Sequence, residues 1–465
     1  MSAITTQYGR YWGKLNRHTR HILINCFIGI IVVLIVHKAQ DLKFISSQVA
    51  QGFDLMLRLQ SNSDLEDVPP FVFLDIDSDS HLAWGEPVVT PRDKLAQLLE
   101  YALSSQAKAV ILDIDLNLPV DSQPIESVLN TFGSPDAGSP PLILMKTFRE
   151  LSPKNADGYR ELRPSTLDSL VAKTAHYHWA SPLFEVDSDF ILRRWKQWVA
   201  GCSNHEPRLI PSSQLLLLAV YSDPTARNFY VAMEKLTPSS CLGWKKARPG
   251  LLNTTVQAGE HDIHWQGSDL QRLIMFNIGW PSYLNSNAGV PDTTLKEDGQ
   301  AYRFKALTII PAHIVTESPV IPDTALLKNH VVIIGNSSQY GGDLHATPLG
   351  LMPGSLVIVN AVHSLFSIGE IEPPPLPVIL LIELGLLIGI SLLFTTNPPG
   401  RASLLSTGLV VFVIFPIACI VFKEGVWLDF TLPLIAVELH ELLAIAEYKF
   451  KTKKQEDSCL ESPSS

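Results

Sequence analysis

Two pairs of carboxylates close two apolar runs of the chain. Asp75 and Asp77 end FVFLDID (71–77), and Asp113 and Asp115 lie in AVILDIDL (109–116). Residues two apart on a strand share a face. If the two runs are neighbouring parallel strands, all four carboxylates gather at the C-terminal edge of a sheet, where open α/β sheets take ligands. Four carboxylates at one edge cannot all ionise cheaply. They call for a cation, a shared proton or a basic partner, and Arg92 lies between the two runs. Asp343 follows a third apolar run, HVVIIG (330–335), and reaches the same edge by the same argument. The chemistry expected is a small acidic pocket for a hard cation or a cationic ligand. The metal is left open, and no other cofactor is expected. The alternative is that these carboxylates cap the following helix or turn, or pair with Arg92 to hold the fold.

Other constellations are thinner. Gly341 and Gly342 lie in a loop after an apolar run, as in phosphate-binding loops, but the Lys and spacing of a P-loop are missing. Asp75-Ile76-Asp77-Ser78 can be read as the nucleophile motif of a haloacid-dehalogenase-like phosphatase, but no downstream Lys and acidic pair fall into place. His261 with His264, and His176 with His178, have no third ligand at useful spacing. No catalytic set is indicated, and the chain is not expected to be an enzyme. Cys202 and Cys241 can form one disulfide or stay reduced.

The positioning elements follow from periodicity. Residues 44–59 read as an amphipathic helix, and 91–106 as a helix with Pro91 near its first turn. Strands are expected at 71–77, 109–116, 141–146, 272–278 and 330–335, with a hairpin over 184–199. Residues 221–270 and 281–300 read as loops or insertions. The fold class expected is an α/β domain, mostly parallel with an antiparallel hairpin, joined to a four-span α-helical membrane region.

Of 465 residues, 46% are hydrophobic and 18% charged, too apolar a balance for disorder. The 36 Lys and Arg against 46 Asp and Glu leave a net charge of −10, which argues against a nucleic-acid partner. Apolar runs place membrane spans at 22–37, 376–396, 402–422 and 425–446. Arg10, Lys14, Arg17 and Arg20 precede the first, Arg401 falls between the second and third, and Lys449, Lys451, Lys453 and Lys454 follow the fourth. With four spans these clusters share one side, the cytoplasmic one. The expectation is a multi-pass protein of a bacterial inner membrane. Its cytoplasmic N-terminus covers 1–21, its exported domain 38–375 and its short cytoplasmic tail 447–465. Glu383, Glu438 and Glu441 lie within the span runs. Carboxylates there mark functional contacts by default. The alternative is that the last span ends early and 438–454 emerges as an amphipathic helix, whose apolar stripe can pack on a second copy or a partner helix.

Several stretches resemble the second type of CHASE domain, the cyclase- and histidine-kinase-associated extracellular sensory module of bacteria. They are Phe53-Asp54-Leu55 with Arg58, LDIDSDS (74–80), TPRD (90–93), AKAVILDIDL (107–116), and Asp187-x-Asp189 ending in Arg193-Arg194. The most specific is LLKNHVVIIGNSSQYGGDLHATPLGLMPGSLVIVNAV (326–362), followed by three spans. The resemblance implies that Asp343, Thr347, Pro348, Pro353, Gly354 and Asn360 form the family signature, with a role that can be wholly structural. The sequence departs from the family at Ile358-Val359-Asn360, where a His before an Ala-Asn pair is usual, and at the reduced lead Glu86-Pro87-Val88-Val89. The family's usual fused output domain has no counterpart in the stretch after Ala446. The function implied is a receptor that passes a stimulus through its helices to a separately encoded effector, with a homodimer as an option. A non-sensing membrane scaffold and the exported phosphatase are the alternatives.

Overall fold

A computed structural model describes residues 27, 31, 43–60, 69–117, 121–134, 138–149, 160–203, 205–241, 253–258, 261–266, 271–280, 296–297, 302–303, 306–371, 374–431, 433–435, 438 and 442. The chain divides into two units: 57–371, and a second made of 1–56 with 372–465.

In the first unit, six apolar runs become parallel strands: β1 (Phe71–Ile76), β2 (Ala109–Leu112), β3 (Leu142–Met145), β4 (Tyr177–Ala180), β5 (Leu307–Pro311) and β6 (Val331–Asn336). Their order is β5-β1-β6-β2-β3-β4. The short strands Tyr302–Arg303 and Lys296–Glu297 extend the β5 edge antiparallel. β1 and β2 are parallel, but they are not neighbours. β6 lies between them, with Val331 beside Phe71 on one side and Ala109 on the other. β6 arrives more than 200 residues later and is apolar over its first four positions, which suits the centre of a sheet covered on both faces.

Alternation along the strands builds two cores. Val72, Leu74, Ile76, Val110, Leu112, Val332 and Ile334 pack with Leu95, Leu98, Leu99 and Ala102. Those last four line one side of α3 (Arg92–Leu103), which follows the short helix α2 (Ser78–Ala83). The opposite face meets α4 (Ser213–Ser222) and α5 (Gly354–Ile368), which also pack on each other. Both of these helices are apolar nearly all round. Such a run has no amphipathic stripe to mark it as a helix, so neither was expected from periodicity.

Elsewhere the structure corrects the expected boundaries. β2 stops at Leu112, so Asp113 to Leu116 lie beyond it. The hairpin over 184–199 is shorter: Phe184–Val186 pairs with Leu192–Lys196, and Trp198–Ser203 turns away to pair with Glu206–Pro211. Arg193 is buried at that hairpin and held by Asp187 at 2.9 Å and Asp189 at 2.7 Å. Of 272–278, only Gln271–Leu273 is strand. The stretch 221–270 is not all loop. It holds the helix Arg227–Leu236 and an antiparallel hairpin of Asn253–Ala258 with His261–Gln266. Cys202 and Cys241 form a disulfide with Cα atoms 5.9 Å apart.

In the second unit, helices cover Leu376–Thr396, Pro399–Leu409 and Phe415–Phe422, the last two joined by a π-helical turn at Val410–Ile414. Among the described residues, Gly400–Phe422 is the helix long and apolar enough to cross a membrane. Most of the span expected at 22–37, and nearly half of that expected at 425–446, lies outside the described residues. The helix α1 (Lys43–Gln60) crosses the unit boundary. Its Phe53 packs edge-on against Phe422 and Trp427, with ring centroids 5.7 and 5.1 Å apart.

Asn360 fastens α5 to the core of the first unit. Its side chain accepts from Asn277 N and Ile278 N at 3.0 and 2.9 Å, and donates to Ile278 O and Leu356 O. Asn360→Ala leaves two buried backbone donors without an acceptor. The expected loss is roughly 2–4 kcal/mol of unfolding free energy, read by denaturant unfolding of the purified chain. A loss below about 0.5 kcal/mol, the scale of a neutral surface change, contradicts this role.

Candidate functional site

The C-terminal ends of the parallel strands surround a cleft of about 790 Å³. Its lining includes Ile76 from β1, Asn336 from β6, Met145 from β3, and Asp113 and Ser181 just past β2 and β4. This volume falls in the ordinary range for small-molecule sites, and its place at a sheet edge is the usual one.

The five strand-end carboxylates separate into different roles. Asp75 is buried, accepts from Ser337 N at 3.1 Å and Ser337 Oγ at 2.7 Å, and does not line the cleft. Burial raises its carboxyl well above the usual range, against the pull of the Ser337 bond. Asp77 also stays out of the cleft: it caps α2 by accepting from Ser80 N at 2.8 Å. Asp115 lines the cleft and closes a local turn by accepting from Asn117 N and Nδ2. Asp113 and Asp343 face the cleft as well. Asp113 accepts from Ser355 Oγ at 2.7 Å, and Asp343 meets His345 Nε2 at 3.0 Å. Burial first, and Asp343 second, raise Asp113 to about 7. The Asp343 bond raises His345.

Each of these carboxylates already takes a protein donor. Among the described residues, no group of three or more His, Cys, Asp and Glu side chains forms a metal site. His176 and His178 are likewise spent on Phe132 O and Pro224 O, and burial lowers both.

Arg92 lines the cleft and is 4% exposed, but it does not pair with the carboxylates as expected. Its Nη2 donates to the backbone carbonyl of Asp115 at 3.3 Å, and among the described residues Nη1 has no hydrogen-bond partner. The cleft also holds cations that sequence reasoning missed. Lys146 is buried between Asp168 at 2.5 Å and the Trp179 ring at 4.6 Å. Arg149 pairs with Glu161 and Lys196 with Glu185. Lys146 sits one residue past β3, so the strand-end argument applied to the carboxylates finds it too. The site is therefore mixed in charge rather than acidic.

Of the signature residues, Asp343 lines the cleft, and the others shape the segment that follows it. Thr347 Oγ1 donates to Gly350 O at 2.7 Å and closes the hairpin of Leu344–Thr347 with Gly350–Pro353. Pro348 O accepts from Arg58 Nε at 3.1 Å. Pro353 precedes the first residue of α5. At Gly354, a Cβ would overlap the Asp343 carboxylate. Among the span carboxylates, Glu438 is helical and exposed, while Glu441 and the side chain of Glu383 lie outside the described residues.

Asp113→Asn tests the electrostatics. A folded value near 7 against about 3.9 unfolded means that the folded chain keeps a proton the unfolded chain has released. The contribution of Asp113 to stability is thus full at low pH and is lost as pH rises to about 7. Other groups titrate in both proteins and cancel in the difference. The variant should match the parent near pH 3 and exceed it progressively as pH rises to about 7, by about 1.4 kcal/mol per unit of elevation crossed. Parallel stability curves from pH 3 to 7 contradict this assignment.

A scan against family models matches the CHASE2 domain over residues 28–396. Searches of curated proteins and of solved structures find no match. The match covers well over half of the chain and contains every strand of the parallel sheet and the cleft at its edge. The chain belongs to the CHASE2 family of extracellular sensory domains.

Proposed function

We propose that this protein is a multi-pass receptor of a bacterial inner membrane that binds its stimulus in the sheet-edge cleft. Both termini lie in the cytoplasm and 38–375 stands outside it. The basic clusters around Arg10–Arg20, Arg401 and Lys449–Lys454 support that orientation. The apolar helix Gly400–Phe422 supports a membrane anchor.

The observation that carries the reading is the cleft itself. It is large enough for a small molecule, and it lies at the strand ends of a domain whose family is sensory. The domain connects to the helical unit at two covalent points: through α1, and through α5 followed by 376–396. A ligand shifts these helices only by its differential affinity for two arrangements of the domain. The signal is delivered to a separately encoded effector.

Thermal unfolding of the full chain in mild detergent tests this. A low-molecular-weight extract of the cell envelope should raise the midpoint by a few degrees, as a ligand well above its Kd does. Val89→Trp, which projects an indole at the cleft lining, should lose that rise while unfolding at a similar midpoint alone. No rise with any fraction contradicts sensing and favours a scaffold.

A further inference from the structure

We propose that the cleft receives a small organic carboxylate, held by Arg92 at the start of α3. This rests on the reading of the cleft as the stimulus site and names the chemistry of what enters it.

Arg92 stands apart from the other buried cations. Lys146, Arg193 and Arg272 are also buried, and each meets a carboxylate: Asp168, Asp187 with Asp189, and Glu370. Among the described residues Arg92 donates only to a backbone carbonyl, and the one carboxylate that acts on it, Asp115, does so through space and not through a hydrogen bond. Arg92 has one guanidinium nitrogen buried without an acceptor, in a residue that lines the cleft. A buried cation left in that state is costly unless an anion completes it.

The position sharpens the point. Arg92 is the first residue of a 12-residue helix, and Pro91 before it provides no side-chain cap. A helix N-terminus is the positive end of the helix dipole, so a cation there is disfavoured and an anion is favoured. The guanidinium fork and the helix start thus ask for the same group.

The surroundings choose among anions. Asp113, Asp115 and Asp343 share the cleft, and their charge opposes a dianionic phosphate more than a single carboxylate. Trp84, Ile114 and Leu183 line the cleft as well, and they suit a carbon body that inorganic phosphate lacks.

The test is binding to the full chain in detergent, by titration calorimetry and thermal unfolding. The probes are the monocarboxylates lactate, pyruvate and butyrate, each beside its neutral amide, with inorganic phosphate alongside. At least one carboxylate should bind and raise the midpoint, and its amide should not. Arg92→Lys keeps the charge but loses the planar fork, and should weaken Kd about 10-fold or more. Arg92→Gln, the second variant, should abolish binding. Equal Kd in parent and both variants overturns the proposal, as does phosphate binding that matches or exceeds every carboxylate. If an envelope extract stabilises the chain but none of the carboxylates does, the proposal falls and sensing in the cleft stands. If neither stabilises it, both fall.

Discussion

A side-chain hydrogen bond ties the cleft to α5, the last helix before the chain leaves the domain: Ser355 Oγ donates to Asp113 Oδ2 at 2.7 Å. Ser355 is the second residue of α5, and Asp113 is the first residue past β2. The bond requires α5 to start very close to the sheet. Gly335 in β6 permits this, because a Cβ there would overlap Ser355 Oγ. Gly354 permits the matching approach of Asp343, whose carbonyl accepts from Gly354 N at 2.9 Å. Two glycines, a serine and two carboxylates thereby form one packed node between β2, β6 and α5.

Much of this fold was legible in the sequence, and the rest was hidden for physical reasons. The runs at 71–77, 141–146 and 330–335 announced strands because both sheet faces are buried and alternation gives way to continuous apolar residues. Their neighbours could not be read the same way. The insertion of β6 between β1 and β2 is a long-range pairing, and local pattern does not encode it. α4 (SQLLLLAVYS) and α5 were hidden because a helix buried on all sides lacks a polar face.

The site was legible in position and less so in chemistry. Strand-end reasoning placed Asp113, Asp115 and Asp343 in the cleft. It could not tell them from Asp75 and Asp77, which have the same spacing but are spent on Ser337 and on the cap of α2. The difference lies in which donors approach, and those donors come from distant segments. The expected pairing of Arg92 with a carboxylate failed for a related reason: the Asp115 side chain is taken by Asn117, so the guanidinium reaches the carbonyl instead.

The account centres on coupling between the cleft floor and the first turns of α5. Hydrogen–deuterium exchange of the full chain, parent against Ser355→Ala, measures it most directly. Loss of the hydroxyl should raise exchange over 113–116 and 354–360 together, leaving β3 and β4 protected. Faster exchange in only one of those two segments, or in neither, would show that the cleft and α5 are not joined through this bond.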